Sequence, residues 1–232
     1  MSNDASDSPR RVWLSWSSGK DSAWSLHVLR QDPSLEVVGL LTTLNGENDR
    51  VAMHGVRGAL LRAQARAAGL PLIEVELPVP CSNEQYAERM AAALARAEAE
   101  CVTGVAFGDL FLEDIRAYRE AQMEATGLAP LFPLWGRPTR ELAEEMIEGG
   151  LEAVLTCVDP RQVPATLAGR AFDRDLLAEL PPEADPCGEN GEFHSFVHAG
   201  PIFCAPIAVV RGEVVERDGF VFADVRPQDD RT

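Results

Sequence analysis

The stretch V-W-L-S-W-S-S-G-K-D-S-A-W-S-L-H-V-L-R, residues 12–30, passes from an apolar run through a polar loop into a helix-like pattern. Residues 12–14 read as a buried strand, and residues 23–30 carry apolar side chains at helical spacing. Between them stand Ser15, Ser17, Ser18, Gly19, Lys20, Asp21 and Ser22. A turn needs only a glycine or two. This density of hydroxyls and backbone donors at a strand–loop–helix junction points to a bound anion. Helix capping accounts for one serine and leaves the glycine–lysine pair unexplained.

Outward from this loop, short β-rich runs alternate with helical patterns. Strands are expected at residues 11–16, 35–42, 70–77 and 103–108, with helices near 52–69, 84–101 and 112–127. That alternation predicts an α/β fold: a Rossmann-like parallel sheet with helices on both faces. Such sheets bind ligands at the carboxyl ends of their strands, where the opening loop lies. Past residue 130 the pattern changes. A helix and a strand are followed by a Pro- and Gly-rich region, then by a hairpin expected to turn near Arg211 and Gly212. Residues 10–130 are read as a nucleotide-binding domain, 131–225 as a smaller α+β substrate-binding domain, and 1–9 and 226–232 as flexible tails.

With 21 basic and 37 acidic side chains the formal net charge is −16, which argues against nucleic acid as a partner. No apolar run reaches the roughly 20 residues that span a bilayer. The polar amino end does not resemble a signal peptide. Five cysteines (81, 101, 157, 187 and 204) are scattered without a C-x-x-C pair, as expected of cytoplasmic thiols rather than disulfides or structural zinc. Oligomeric state is not legible.

Two familiar phosphate loops fail on this sequence. A Walker loop requires glycine where Leu14 stands and Ser or Thr where Asp21 stands, and no G-x-G-x-x-G is present. What remains is a short anion nest, with backbone N–H groups from Ser18 to Ser22, hydroxyls from Ser15, Ser17 and Ser22, and the charge of Lys20. Asp21 is a candidate ligand for a divalent metal. S-S-G-K-D-S, residues 17–22, resembles the S-G-G-K-D-S signature of the PP-loop ATP pyrophosphatases (PP-loop/HUP type). Ser18 replaces the first glycine, a change the loop tolerates only if this residue avoids a glycine-only backbone angle.

Three further stretches narrow the resemblance: G-D-L-F-L-E-D-I-R-A-Y-R-E (108–120), L-A-P-L-F-P-L-W (128–135) and D-P-C-G-E-N-G-E-F-H-S-F-V-H-A-G-P-I-F (185–203). In this order they look like the diphthine–ammonia ligase-like branch of PP-loop proteins. The resemblance implies an adenylating amide ligase that uses ATP and Mg²⁺. A carboxylate attacks the α-phosphorus, pyrophosphate leaves, and ammonia displaces AMP. It implies that residues 17–22 hold the pyrophosphate and that Leu41, Thr42 and Thr43 cradle the adenosine. The acceptor carboxylate is not identified by the sequence.

Asp109 either caps the following helix or faces the ligand. His54 and Arg57, three apart, are either a surface pair or phosphate and substrate contacts. In the 187–195 segment, Gly188 and Gly191 permit sharp turns that aim Glu189 and Glu192 into one cleft. There the acids would bind metal or ammonium or act as a general base, and His194 would exchange protons near neutral pH. Cys187, Gly188, Asn190 and Ser195 are read as substrate contacts in the same turn. Two rival functions are an adenine-nucleotide sensor without turnover and a tRNA thiolase using Cys187.

Overall fold

The structure, a computed structural model, describes residues 8–46, 50–51, 55–124 and 126–228. Strand β1 (Arg10–Ser15) pairs in parallel with β2 (Leu35–Asn45) and with β5 (Gly104–Ala106). Strand β4 (Leu72–Leu77) lies parallel to β2, and β6 (Ala129–Leu131) parallel to β5. The parallel order is therefore β4-β2-β1-β5-β6, with β3 (Arg50–Val51) added antiparallel at the end of β2. The chain builds outward from β1 in one direction and then in the other, so the order reverses between β1 and β5. The loops leaving those two strands flank the crevice where such sheets bind ligands.

Side chains alternate across β1. Leu14 joins the core on one face, with α1 (Lys20–Leu29) and α2 (Gly58–Ala68). Trp13 joins the core on the other, with α3 (Asn83–Ala99) and α4 (Glu113–Glu124). This is the doubly covered α/β sheet expected from the alternating pattern.

The second half adds α5 (Thr139–Glu148), β7 (Glu152–Val158), α6 (Arg174–Glu179), β8 (Phe193–Ala199), β9 (Val209–Arg217) and β10 (Phe220–Pro227). Its sheet is antiparallel in the order β8-β7-β10-β9. The apolar core does not stop between the halves. One cluster holds Trp24 and Leu26 of α1, Leu61 of α2, Met146 of α5 and Phe196 and Val197 of β8.

Several local expectations are corrected. The hairpin turns at Asp218 and Gly219, both at positive φ (53° and 80°), and Arg211 and Gly212 lie within β9. A two-residue loop with both φ positive matches the right-handed twist of the strands, and Asp-Gly is its favoured sequence. Strand β10 reaches Pro227 and the Gln228 N–H donates to the Ala208 carbonyl at 3.0 Å, so residues 226–228 belong to the sheet rather than to a tail. Helix α2 begins at Gly58 and ends, as expected, on Gly69 in the left-handed conformation. Ser18 does not avoid the glycine-favoured angle: its φ is +72°.

Candidate functional site

The loop between β1 and α1 is closed by its own serines. Ser17 Oγ and Ser22 Oγ lie 3.2 Å apart, the Gly19 N–H donates to Ser17 Oγ at 3.3 Å, and the Ser22 hydroxyl donates to the Gly19 carbonyl at 2.9 Å. Strand β8 reaches this loop from the second half. Ser195 Oγ accepts from the Lys20 N–H at 3.2 Å, and the Val197 N–H donates to the Ser18 carbonyl at 3.1 Å. The loop lines a cavity of about 250 Å³ with Asp21, Gly108, Asp109, Arg119, Gly188, Glu189 and His194 on its walls.

Lys20 is almost entirely buried. Its Nζ donates to both carboxylate oxygens of Asp21, at 2.9 and 2.8 Å, and to the Cys187 carbonyl, and it lies 5.7 and 5.4 Å from the ring centroids of Phe172 and Phe193. Burial by itself would lower its pKa, but the adjoining carboxylate and cavity acids reverse this and hold it above the ordinary value. A fixed, charged ammonium beside oriented N–H groups is suited to anionic oxygen.

Three carboxylates face this cavity. Asp109 sits 3.6 Å from Arg119 Nε, and its Oδ2 is buried without a hydrogen-bond partner among the described residues. It lies four residues before the first residue of α4. Gly108 brings the loop here, since a Cβ at that position would approach Asp21 C and Ser22 N at 3.1 Å. Glu189 reaches from the 185–192 turn to the other half, where its Oε1 accepts from the Leu110 N–H at 2.8 Å. Burial, then Asp21 and Asp109, push the Glu189 pKa up to about 7, against that hydrogen bond and Lys20. Gly188 makes this reach possible: its φ is +72°, and a Cβ there would meet the Phe193 carbonyl oxygen at 2.9 Å.

The other residues of the turn hold its shape. Asp185 accepts from the Cys187 and Glu189 N–H groups, both at 3.0 Å. Glu192 was expected in the cleft. Instead it is buried outside the cavity lining, accepting from the Asp185 N–H at 2.7 Å and from Asn190 Nδ2 at 3.1 Å. Asn190 is likewise a brace and lines no described cavity. Cys187 offers the site its carbonyl rather than its sulfur. The thiol donates to the Thr139 carbonyl at 3.3 Å, and burial drives its pKa far above the ordinary thiol range. His194 lines the cavity, but burial followed by Lys20 pushes its pKa down to about 4. That shift favours the neutral imidazole near pH 7.

A second cavity, of about 500 Å³, shares Ser15, Ser17, Phe107, Arg119 and His194 with the first. Leu41, Thr42 and Thr43, the residues expected to cradle an adenosine, line it opposite Tyr86, Met90 and Met123. Arg57 lines neither cavity. Its guanidinium meets Asp224 of β10 at 3.2 and 2.8 Å, tying α2 to the second sheet, and His54 lies outside the described residues. Ser18 lines neither cavity with its side chain.

Sequence reasoning missed Arg119, although Ile115, Arg119 and Gln122 fall on one helical face and all border the larger cavity. It also missed the aromatic seat of Lys20, since Phe172 and Phe193 lie far from it in sequence.

Family models for the diphthamide synthase N-terminal domain and C-terminal domain match residues 10–130 and 138–225. Diphthine–ammonia ligases of Bos taurus and Homo sapiens are each 31% identical over 133 residues, covering 55% of this chain and 50% of the relative. The Schizosaccharomyces pombe diphthine–ammonia ligase is 32% identical over 94 residues, covering 39% of this chain and 16% of its own. The chain thus spans about half the length of the mammalian relatives it matches.

Proposed function

This chain belongs to the diphthamide synthase family, and we propose that it is an ATP-dependent amide ligase joining a carboxylate to ammonia with release of AMP and pyrophosphate. The observation that carries the reading is the pair of adjoining cavities. The larger, along Leu41–Thr43, fits a nucleoside. The smaller is lined by a phosphate loop with a buried, charged lysine and by an acid whose pKa is about 7. In this proposal residues 10–130 bind the nucleotide, and 131–225 supply the substrate side.

The β- and γ-phosphates would lie on the loop. There Lys20, held by Asp21 and the Cys187 carbonyl, would act through space on the charge that grows as pyrophosphate leaves. The Gly19 N–H would exchange Ser17 Oγ for a phosphate oxygen. The substrate carboxylate oxygen attacks the α-phosphorus, the bond from phosphorus to the bridging oxygen breaks, and an acyl-adenylate forms. Ammonia then adds to the acyl carbon and AMP leaves with the electron pair of the acyl–oxygen bond. The surplus proton of the attacking nitrogen passes to Glu189, whose pKa suits proton acceptance near neutral pH.

Magnesium would supply charge neutralisation across the phosphates. Among the described residues no three His, Cys, Asp or Glu side chains are grouped to hold a metal by themselves. Phosphate oxygens with one or two carboxylates are the usual set for this ion. Asp109, whose Oδ2 makes no hydrogen bond among the described residues and lies 3.6 Å from Arg119 Nε, and Asp21, both of whose oxygens take Lys20, are the cavity carboxylates that would complete such a set.

The thiolase alternative lacks a nucleophile, because Cys187 is buried and bonded away from the cavity. A sensor without turnover has no observation in its favour. All five cysteines are free, which supports a cytoplasmic setting, and no helix among the described residues is long and apolar enough to cross a membrane.

Incubation with ATP, magnesium, ammonium and a panel of carboxylic acids should yield AMP with at least one acid. Lys20→Met should reduce that yield about a hundredfold or more. ADP and phosphate as sole products, or AMP formation indifferent to Lys20→Met, would overturn the proposal.

A further inference from the structure

We propose that Gln64, on the far side of α2 from solvent, is a positioning residue that aims the phosphate loop, a role that rests on the nucleotide reading above. Gln64 is completely buried and lines neither cavity. Its Oε1 accepts from Trp16 Nε1 at 2.9 Å, and its Nε2 donates to the Ser18 carbonyl at 3.0 Å and to the Val197 carbonyl at 2.7 Å. An indole N–H can only donate and carbonyls can only accept, so one orientation of the amide satisfies all three partners.

The geometry gives this amide leverage. In a trans peptide the C=O and the following N–H point in opposite directions. The Ser18 carbonyl is held on one side by Gln64 and by the Val197 N–H, so the Gly19 N–H must face the other side. There it meets Ser17 Oγ, on the wall of the smaller cavity. Ser18 sits at φ +72°, a conformation that a non-glycine residue keeps only when its surroundings impose it. Gln64 and β8 impose it. The same side chain holds Trp16, which borders the larger cavity. One amide therefore joins the wall of the nucleoside cavity, the turn of the phosphate loop and a strand of the second sheet.

Glu is the discriminating replacement. It keeps an acceptor for Trp16 but turns a second oxygen toward two carbonyls, and a proton on that oxygen restores one of the lost bonds. Binding of inorganic pyrophosphate and of adenosine would be followed by titration calorimetry at about pH 8 and about pH 6. Gln64→Glu should bind pyrophosphate about tenfold or more weakly than wild type at the higher pH, and adenosine within about twofold. The ratio of variant to wild-type pyrophosphate affinity should recover at the lower pH. A role confined to core packing would not produce that recovery.

Unchanged pyrophosphate affinity at both pH values, or equal losses for the two ligands, overturns the proposal. Should Gln64→Glu not fold, the wild-type protein decides. The Gln64 side-chain amide protons should be protected from solvent exchange by NMR, and the Gly19 amide resonance should move on adding pyrophosphate; rapid exchange of that side chain, or a motionless Gly19 signal, overturns it. A wild-type protein that binds neither pyrophosphate nor adenosine refutes the nucleotide reading itself, and this inference falls with it.

Discussion

Ser18→Gly should make the protein more stable. The native serine holds a left-handed angle of +72°, which for a residue with a Cβ costs about 1 kcal/mol. Its Oγ is fully buried and finds no hydrogen-bond partner among the described residues, adding about 1–2 kcal/mol. Glycine removes both penalties. Against this stand the greater freedom of glycine in the unfolded chain, about 0.5–1 kcal/mol, and the lost packing of one methylene, just under about 1 kcal/mol. The balance is a gain of about 1 kcal/mol, or a melting midpoint about 2–4 °C higher for a chain of this size. Ser18→Ala keeps the backbone angle and deletes only the hydroxyl, so it should also be stabilised. Calorimetric or circular-dichroism melts of the three proteins test this. A Ser18→Gly midpoint at or below wild type would show that the angle and the hydroxyl store no penalty, and a destabilised Ser18→Ala would show that the hydroxyl has a partner.

Glu189 should shape two pH profiles. If it accepts the proton in amide formation, kcat/KM should rise through about pH 7 and Glu189→Gln should flatten that limb; a variant that keeps the limb refutes the assignment. Its folded pKa also lies above its ordinary value of 4.5, so the native state holds a proton that the unfolded state has released. The Glu189 contribution to stability is then full below about pH 4.5 and lost as pH rises through about 7, a slope in melting midpoint that Glu189→Gln should lack. Cys187→Ser should cost no more than about 1 kcal/mol, since a hydroxyl can still donate to the Thr139 carbonyl, and AMP formation should persist. A folded Cys187→Ser protein without turnover would revive sulfur chemistry.

The parallel sheet was legible because its strands are buried on both faces and its helices are amphipathic, both of which are local patterns. The loop between β1 and α1 was legible as a strand-to-helix junction because its residue types lie in one short run. The roles of individual side chains were much less so. Glu189 and Glu192 are three residues apart and chemically alike, yet one crosses to the Leu110 N–H and the other turns inward to tie its own loop. Only the folded path of the 185–192 turn separates them. His194 carried the signature of a neutral-pH acid–base group, and burial followed by Lys20 lowers its pKa to about 4, which no local pattern announces. Arg57 looked like a phosphate contact until β10 placed Asp224 opposite it, 167 positions along the chain. The hairpin was misplaced for a different reason: Asp218 and Gly219 carry the stronger turn chemistry, which the Arg211 and Gly212 reading overlooked.

Helix α1 is a party wall. Its Trp24 and Leu26 complete the greasy layer of both halves, while its first residue is gripped by Cys187 and Ser195 from beyond. Beads on a string can be snipped apart or traded between proteins; halves that share a wall cannot. Severing the chain near residue 130 would leave this helix with a bare apolar flank and a slack phosphate grip, so a truncated amino-terminal piece should clump rather than serve as a miniature nucleotide binder. Hybrids built from relatives should therefore carry the antiparallel sheet together with the helix it covers.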